Sequence, residues 1–389
     1  MIKKYHIITP VFLNLDRSAN YQKQTIDILK RYNQVILFYP DKARLLLKRC
    51  LSFTKISQNL AKYIPGNFVP FVRFKIIKLI NKIMNIKILE LLLFNKNKIF
   101  WVFDPKFHYL ASTVTRSTTI FDCVDYFSSL NPTINRKIQK NQLKLLRLAD
   151  LVFVNSRSLQ KIHSKHRHQI YLVPQGFDHE SFKKKSVCKD KLPSSKPLVG
   201  FIGAVDYRLD FKILYKVVQA FPQFNFVLWG PAQTDLQDQY TGTNQHLSKL
   251  KRYHNIIWGL SQTRKKIPNI ISQFDICIIP YNVSLKQNIF CYPMKLFEYF
   301  YMGKPVISTP IKELMLPKFK KYVRIGRTAE DWQAHIEELL SKPWPKSYQK
   351  EQRQMAIDNS WENKLEAISR VIENYENQPK NRGRHPHYS

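Results

Sequence analysis

The sequence predicts an α/β protein of two domains, each a parallel sheet with helices on both faces. Three observations carry this. Short apolar runs alternate with amphipathic stretches along most of the chain. The 389 residues suit two domains on a prior of about 150 residues each. With 44% hydrophobic residues there is material for two cores, which excludes wholesale disorder.

Taken in order, "YHIITPVF" reads as a strand, "YQKQTIDILKRY" as an amphipathic helix and "QVILFYP" as a buried strand. A basic segment follows: from Lys42 to Lys98 there are 13 Lys/Arg against Glu90 alone. Within it, "FVPFVRFKIIKLINKIMNIKILELLLF" sets Lys75, Lys78 and Lys82 among Ile, Leu and Phe at helical spacing. Spacing leaves two compatible readings of that helix. It lies on an anionic membrane surface, or its apolar stripe packs on its own domain while the lysines face out. Alternation resumes with strands "KIFWVFD", "STTIFDCVD" and "DLVFVNS", separated by the helix "INRKIQKNQLKLLRLA", then a helix "SLQKIHSKH" and a strand in "IYLVPQGFDHESF".

The polar, proline-bearing "KKKSVCKDKLPSSKP" lacks periodicity and reads as an interdomain linker. The second domain alternates again: strands in "LVGFIG", "FNFVLWGP", "NIIWGL", "DICIIPY" and "KPVIST", with helices in "RKKIPNIISQF" and "MKLFEYFYM". Such alternation implies a parallel sheet. Two helical stretches follow, around "AEDWQAHIEELLS" and "QKEQRQMAIDNSWENKLEAISRVIENYEN", before a basic tail that reads as disordered. The expected divisions are 1–178 for the first domain (with 42–98 basic), 179–197 for the linker and 198–345 for the second domain. A last helix at 346–376 and a tail at 377–389 complete the chain.

The formal charge is +35, from 63 Lys+Arg against 28 Asp+Glu. Such an excess favours nucleic acid, an acidic membrane surface or phosphorylated small molecules. No helix-turn-helix, RRM or zinc signature is present, and the aromatics do not interleave with the charges, so nucleic acid is not an expected partner. Five cysteines with no C-x-x-C pair suggest neither a disulfide framework nor a zinc site and fit a reducing cytoplasm. The N-terminal apolar residues alternate like a strand and are broken by Thr9-Pro10, unlike a signal peptide. No apolar run approaches the roughly 18 residues of a membrane span.

In open α/β sheets ligands bind at the carboxyl ends of strands. In "GFIGAVDYRLD", Gly203 directly follows a strand, where backbone N–H groups can approach a phosphate, and Arg208 lies within reach. A plain strand-to-helix turn explains Gly203 equally well. In "CYPMKLFEYFYMGKPVIST", Pro293 suits the first turn of a helix and Gly303 its end. Lys295, Glu298 and Met302 then share one face. Glu298 can hold two ribose hydroxyls while Lys295 faces a phosphate, or the two form a local ion pair on an exposed rim. In "FDCVDYFSS", Asp122 and Asp125 end a first-domain strand; they offer a general base or an Asx turn. His108 is a weaker base candidate and reads more safely as a solvated loop histidine.

From about Leu198 to Ile311 the chain resembles nucleotide-sugar-dependent glycosyltransferases of the GT-B fold. It resembles most the branch that builds cell-envelope polysaccharides, such as teichuronic-acid and related glucuronosyl- or mannosyltransferases. The matching pieces are "FIGAVDYRLDFKIL", "FNFVLWGP", "NIIWGL", "DICIIPYN" and "PMKLFEYFYMGKPVIST". The first half matches more loosely, through "WVFDP", "IFDCVDYFSS", "ADLVFVNSRSL" and "YLVPQGFDHESF". The resemblance implies two Rossmann-like domains facing across a cleft, the acceptor on the first and the donor nucleotide on the second. The last helix is then expected to cross back to the first domain. By position, Gly203 and Arg208 face the donor diphosphate, and Tyr281 borders the nucleotide. Met294 and Lys295 contact nucleotide and phosphate, and Glu298 holds the ribose. It implies neither metal nor cofactor, and no D-x-D motif stands out.

Many retaining members carry a second glutamate eight residues before the ribose-binding one, where this chain has Phe290. Some members of the branch lack it too, and certain of those invert; an inverting transfer needs a base, for which Asp125 is preferred over Asp122. The expectation is a cytoplasmic enzyme, peripheral on the inner face of the membrane, moving a sugar from a UDP-type donor to a lipid-linked or glycan acceptor. A nucleic-acid-binding protein and a catalytically inactive scaffold are the alternatives.

Overall fold

The computed structural model describes residues 5–11, 21–39, 52–65, 68–69, 73–94, 96–114, 117–183, 191–193, 195–232, 238–259 and 266–378. Residues 42–51, 66–67, 70–72 and 95 of the basic segment, 184–190 and 194 of the linker, and all but the first two residues of the tail lie outside them.

Two sheets form. The first contains β1 (His6–Pro10), β2 (Gln34–Phe38), β3 (Ser52–Ser57), β4 (Leu60–Ile64), β5 (Lys98–Val102), β6 (Thr118–Cys123), β7 (Leu151–Val154) and β8 (Tyr171–Leu172). Their order is β3-β4-β2-β1-β5-β6-β7-β8, parallel throughout except for the β3–β4 pair. The second contains β9 (Leu198–Ile202), β10 (Asn225–Trp229), β11 (Ile256–Gly259), β12 (Ile276–Ile279), β13 (Val306–Ser308) and β14 (Val323–Ile325). It runs β11-β10-β9-β12-β13-β14, parallel at every pair. Strands such as "VILF", "IFWV" and "ICII" are apolar without alternation because helices cover both faces.

The β3–β4 hairpin and β14 have no counterpart in the sequence reading. The hairpin alternates polar and apolar residues only loosely, and its register shifts between Lys55 and Ser57. The long helical stretch at the C-terminus is also two helices, Lys346–Asp358 and Trp361–Asn377, not one. Between them Asn359 Nδ2 donates to the Gln175 carbonyl at 2.7 Å, and Ser360 caps the second helix by accepting from Asn363 N.

That second helix packs on the first sheet. Trp361, Leu365, Ile368 and Ile372 share a cluster with Tyr5, Ile7, Ile99 and Trp101. Full burial of each such side chain contributes on the order of 1.5–3 kcal/mol. The chain therefore leaves the first sheet after β8, builds the second, and returns to seal a face of the first.

The topology itself marks the crevice. In the second sheet, strand order reverses between β9 and β12, so the connections after them depart to opposite sides. The gap they leave lies beyond Ile202 and Ile279, where Gly203 and Tyr281 stand.

Candidate active site

At the end of β9, Gly203 has φ +145°, and a Cβ there would lie 2.4 Å from Lys295 Cε. Only glycine gives both the backbone and the room. Gly230, at the end of β10, sits so close that a Cβ would fall 2.2 Å from the Gly203 carbonyl oxygen. The lysine fills the space that the first glycine leaves. Its Nζ donates to the Tyr281 hydroxyl at 2.9 Å and lies over the Phe201 and Tyr281 rings at 5.3 and 5.5 Å. A charge held by a neutral hydroxyl and two ring faces remains available to an anion.

Lys295 opens the helix Lys295–Tyr301, which begins two residues after Pro293. Half-buried Met294 stands at its N-cap, with its carbonyl accepting from Phe297 N and Glu298 N. The helix ends as expected at Gly303: Gly303 N donates to Phe300 O at 2.9 Å and Lys304 N to Tyr299 O at 3.1 Å, a Schellman pair. Glu298 is 8% exposed, so the exposed-rim version of a Lys295–Glu298 pair does not describe it.

Arg208 extends from the turn after β9. Asp206 takes its guanidinium in a two-pronged grip, Nε to Oδ1 at 2.9 Å and Nη2 to Oδ2 at 2.7 Å. Burial works against the charge, but the bonds to Asp206 outweigh it and raise the Arg208 pKa. Asp206 was not singled out from the sequence, although its spacing of two from Arg208 in a tight turn was visible.

The two aspartates around the end of β6 part company. Asp122 lies inside the strand, 1% exposed, and accepts from the Tyr21 hydroxyl at 2.6 Å. Lys364, on the returning helix, donates to the same hydroxyl at 2.5 Å. Burial raises the Asp122 pKa, opposed by Lys364 and the Tyr21 bond; burial likewise lowers that of Lys364, opposed by Asp122. The pairing of Asp122 with Asp125 as two cleft carboxylates is thus corrected: Asp122 is committed to an internal chain that ties the last helix to β6. The signal for Lys364 was a lysine at an inward position of "WENKLEAISRVI".

Asp125 follows the strand. Its side chain is exposed to solvent, yet protein surrounds it closely enough to lift its carboxyl to about 6 through lost hydration, with Arg208 of the other wall pulling it down. Among the described residues its carboxylate has no hydrogen bond or ion pair. His108 opens the short helix His108–Ala111, with Nδ1 3.2 Å from the Pro105 carbonyl, and burial lowers its pKa.

The two domains meet through contacts that, Phe290 apart, sequence reasoning missed. Ser128 Oγ donates to Gln287 Oε1 at 2.7 Å, and Gln287 Nε2 to the Tyr207 hydroxyl at 2.9 Å. Ser156 Oγ donates to the Phe290 carbonyl at 3.0 Å, while the Phe290 ring lies 5.5 Å from that of Tyr126. The buried Glu313 carboxylate accepts from Ser158 N and Oγ at 3.0 and 3.2 Å. Phe290 therefore spends its side chain on joining the walls.

Residues 196–342 match the family model described as "Glycosyl transferases group 1". Over 279 residues the chain is 28% identical to a glycosyltransferase named for teichuronic acid biosynthesis, TuaH of Bacillus subtilis (strain 168), covering 67% of this chain and 68% of that one. Among solved structures it is similar to a sucrose-phosphate synthase from Thermosynechococcus elongatus, with a TM-score of 0.72 at 14% identity over 95% of this chain and 98% of that one. It is similar also to Anabaena Alr3699/HepE in complex with UDP and glucose, with a TM-score of 0.69 at 14% identity over 95% and 100% of the two chains. The architecture is the GT-B fold.

Proposed function

Starting from a chain of the GT-B fold that carries a group 1 glycosyl transferase domain, we propose that this glycosyltransferase moves a sugar from a UDP-type donor to a lipid-linked or glycan acceptor in cell-envelope synthesis. It works in the cytoplasm at the inner face of the membrane. The observation that carries the donor side is the Gly203–Lys295–Tyr281 cluster at the strand-order switch of the second sheet. The named role of the Bacillus relative and the UDP bound in the Anabaena neighbour support the substrate classes. The +35 charge supports an anionic surface as partner.

In this reading Lys295 and Arg208 neutralise the donor diphosphate, Met294 and Tyr281 border the nucleotide, and Glu298 accepts from the ribose hydroxyls. No metal or cofactor is assigned. Asp125, held near neutrality, takes the proton of the acceptor hydroxyl as its oxygen bonds to the anomeric carbon. The bond from that carbon to the diphosphate oxygen breaks, and the diphosphate leaves with the electron pair. This route inverts the anomeric carbon and needs no carboxylate at position 290.

Thermal-shift titration with UDP, GDP, dTDP and ADP tests the donor assignment: UDP is expected to raise Tm most. Glu298→Ala is expected to weaken UDP binding by about ten- to a hundredfold, for two charge-assisted hydrogen bonds lost. An unchanged UDP affinity in Glu298→Ala removes the ribose role.

A further inference from the structure

The helix Lys75–Leu92 is built inside out. Asn81, Asn85 and Glu90 face the domain, whereas Ile76, Ile80 and Met84 face solvent at successive turns, followed two turns on by Leu91. Ile76 is 61% exposed and Leu91 71%. Surface helices ordinarily show the opposite arrangement.

Specific bonds fix this orientation. The Asn81 side chain accepts from Val69 N at 2.8 Å and donates to Val69 O at 2.9 Å. Asn85 accepts from the buried Tyr63 hydroxyl at 2.9 Å and donates to Asn81 O at 2.6 Å. Ile86 and Leu89 complete the seam in the core of the first domain. Lys98 Nζ, donating to the carbonyls of Leu93, Phe94 and Lys96, holds the far end. The helix cannot roll its apolar stripe inward without breaking these contacts.

What surrounds the stripe has one sign. Arg73, Lys75, Lys78 and Lys87 are exposed alongside it. The segment's lone acid, Glu90, is buried and paired with Lys87 at 3.1 Å. Phe74 and Phe94 add exposed rings just beyond the two ends. At 18 residues the helix is about 27 Å long, and among the described residues no helix is long and apolar enough to cross a membrane.

We propose that this helix is an interfacial anchor: it lies in the plane of an anionic phospholipid bilayer, its Ile76–Ile80–Met84–Leu91 stripe among the acyl chains and its cations at the phosphates. The inference deepens the membrane partner assigned above, but it depends on neither donor nor turnover. It adds an apolar component that charge alone does not supply. Attachment therefore has two parts, of which salt removes only one. An apolar groove on a protein would account for the stripe; cations flanking it with no exposed acid among them fit a phosphate-lined surface better.

Flotation of the full-length protein with vesicles of phosphatidylcholine, or of phosphatidylcholine with about 30% phosphatidylglycerol, tests this. Binding is expected only with the anionic mixture, weakening but persisting in 0.5 M salt. Lys75→Gln/Lys78→Gln is expected to lower binding roughly tenfold in low salt. Ile76→Asn/Ile80→Asn is expected to abolish the salt-resistant fraction while leaving the apo Tm and the UDP-induced shift unchanged. Salt-resistant flotation of the isoleucine variant at the wild-type level overturns the anchor. So does an absence of flotation combined with a dimer that the same substitutions dissociate, which makes the stripe a contact between copies. Failure of the enzyme reading shows separately, as loss of the UDP shift in a protein that still floats.

Discussion

The two walls of the cleft handle their charges differently. On the first wall, Asp122 and Asp125 stand three residues apart around the end of β6. Asp122 is closed into a chain with Tyr21 and Lys364, and Asp125 is left with no partner among the described residues. On the second wall, Arg208 is gripped by Asp206, while Lys295 rests on a neutral hydroxyl in the space Gly203 leaves. Each wall thus pairs a satisfied ion with an available one. The satisfied ions are fixed by their partners; the available ones are a carboxylate on one side and an ammonium on the other, opposed in sign as the proposed proton acceptor and diphosphate cradle require. Residue type alone does not separate these roles. Completed bonding does.

The largest effect tests the open carboxylate. Asp125→Asn is expected to lower the transfer rate about 100- to 10,000-fold, the range for loss of a general base, and to leave the UDP-induced Tm shift intact. In the wild type, activity should rise with pH through about 6, because only the ionised form accepts a proton. The stability consequence has a definite sign. A carboxyl whose folded pKa is raised stabilises the fold fully below its unfolded pKa and loses that contribution as pH rises through about 6. Asp125→Asn should therefore raise Tm above pH 6 and not well below it. Wild-type turnover in this variant would make the two aspartates equivalent and end the comparison.

Next comes the closed chain. Lys364→Met leaves Asp122 buried without its counter-charge, which costs about 3–5 kcal/mol when one partner of a buried pair is removed. Adding Asp122→Asn should recover part of that loss, since the orphaned charge is then gone. Urea unfolding of the two single variants and the double measures the coupling. Strict additivity would show that the Asp122–Tyr21–Lys364 chain carries no joint energy.

Much of the fold and part of this polarity were legible in the sequence. Apolar runs without alternation identified the covered strands, and the glycine after "LVGFI", Gly203 after Ile202, marked a strand end. Lys295 was singled out by helical spacing and Tyr281 through the family resemblance, and the structure brings them to a 2.9 Å contact. The rest depended on distance along the chain. Asp122 meets Lys364 through Tyr21, and no local pattern relates residues separated by hundreds of positions. The inverted helix Lys75–Leu92 shows the same limit: its periodicity announced an apolar face, but the bonds of Asn81 and Asn85 decide which face points outward.

The smallest effect separates room for a ligand from room for the fold. At Gly203 an alanine adopts an unfavourable φ, costing about 1–3 kcal/mol, and its Cβ meets the far end of a flexible lysine. Lys295 can swing aside, so the fold tolerates the change, but the cation leaves the place from which it is proposed to face the diphosphate. At Gly230 the added Cβ meets the Gly203 carbonyl, which cannot yield without moving the strand end. Gly203→Ala should accordingly lose more of the UDP-induced Tm shift than of the apo Tm, and Gly230→Ala should lower the apo Tm further. If both variants keep the full UDP shift, Lys295 is not held at the phosphate by the glycine turn, and the second wall loses its available cation.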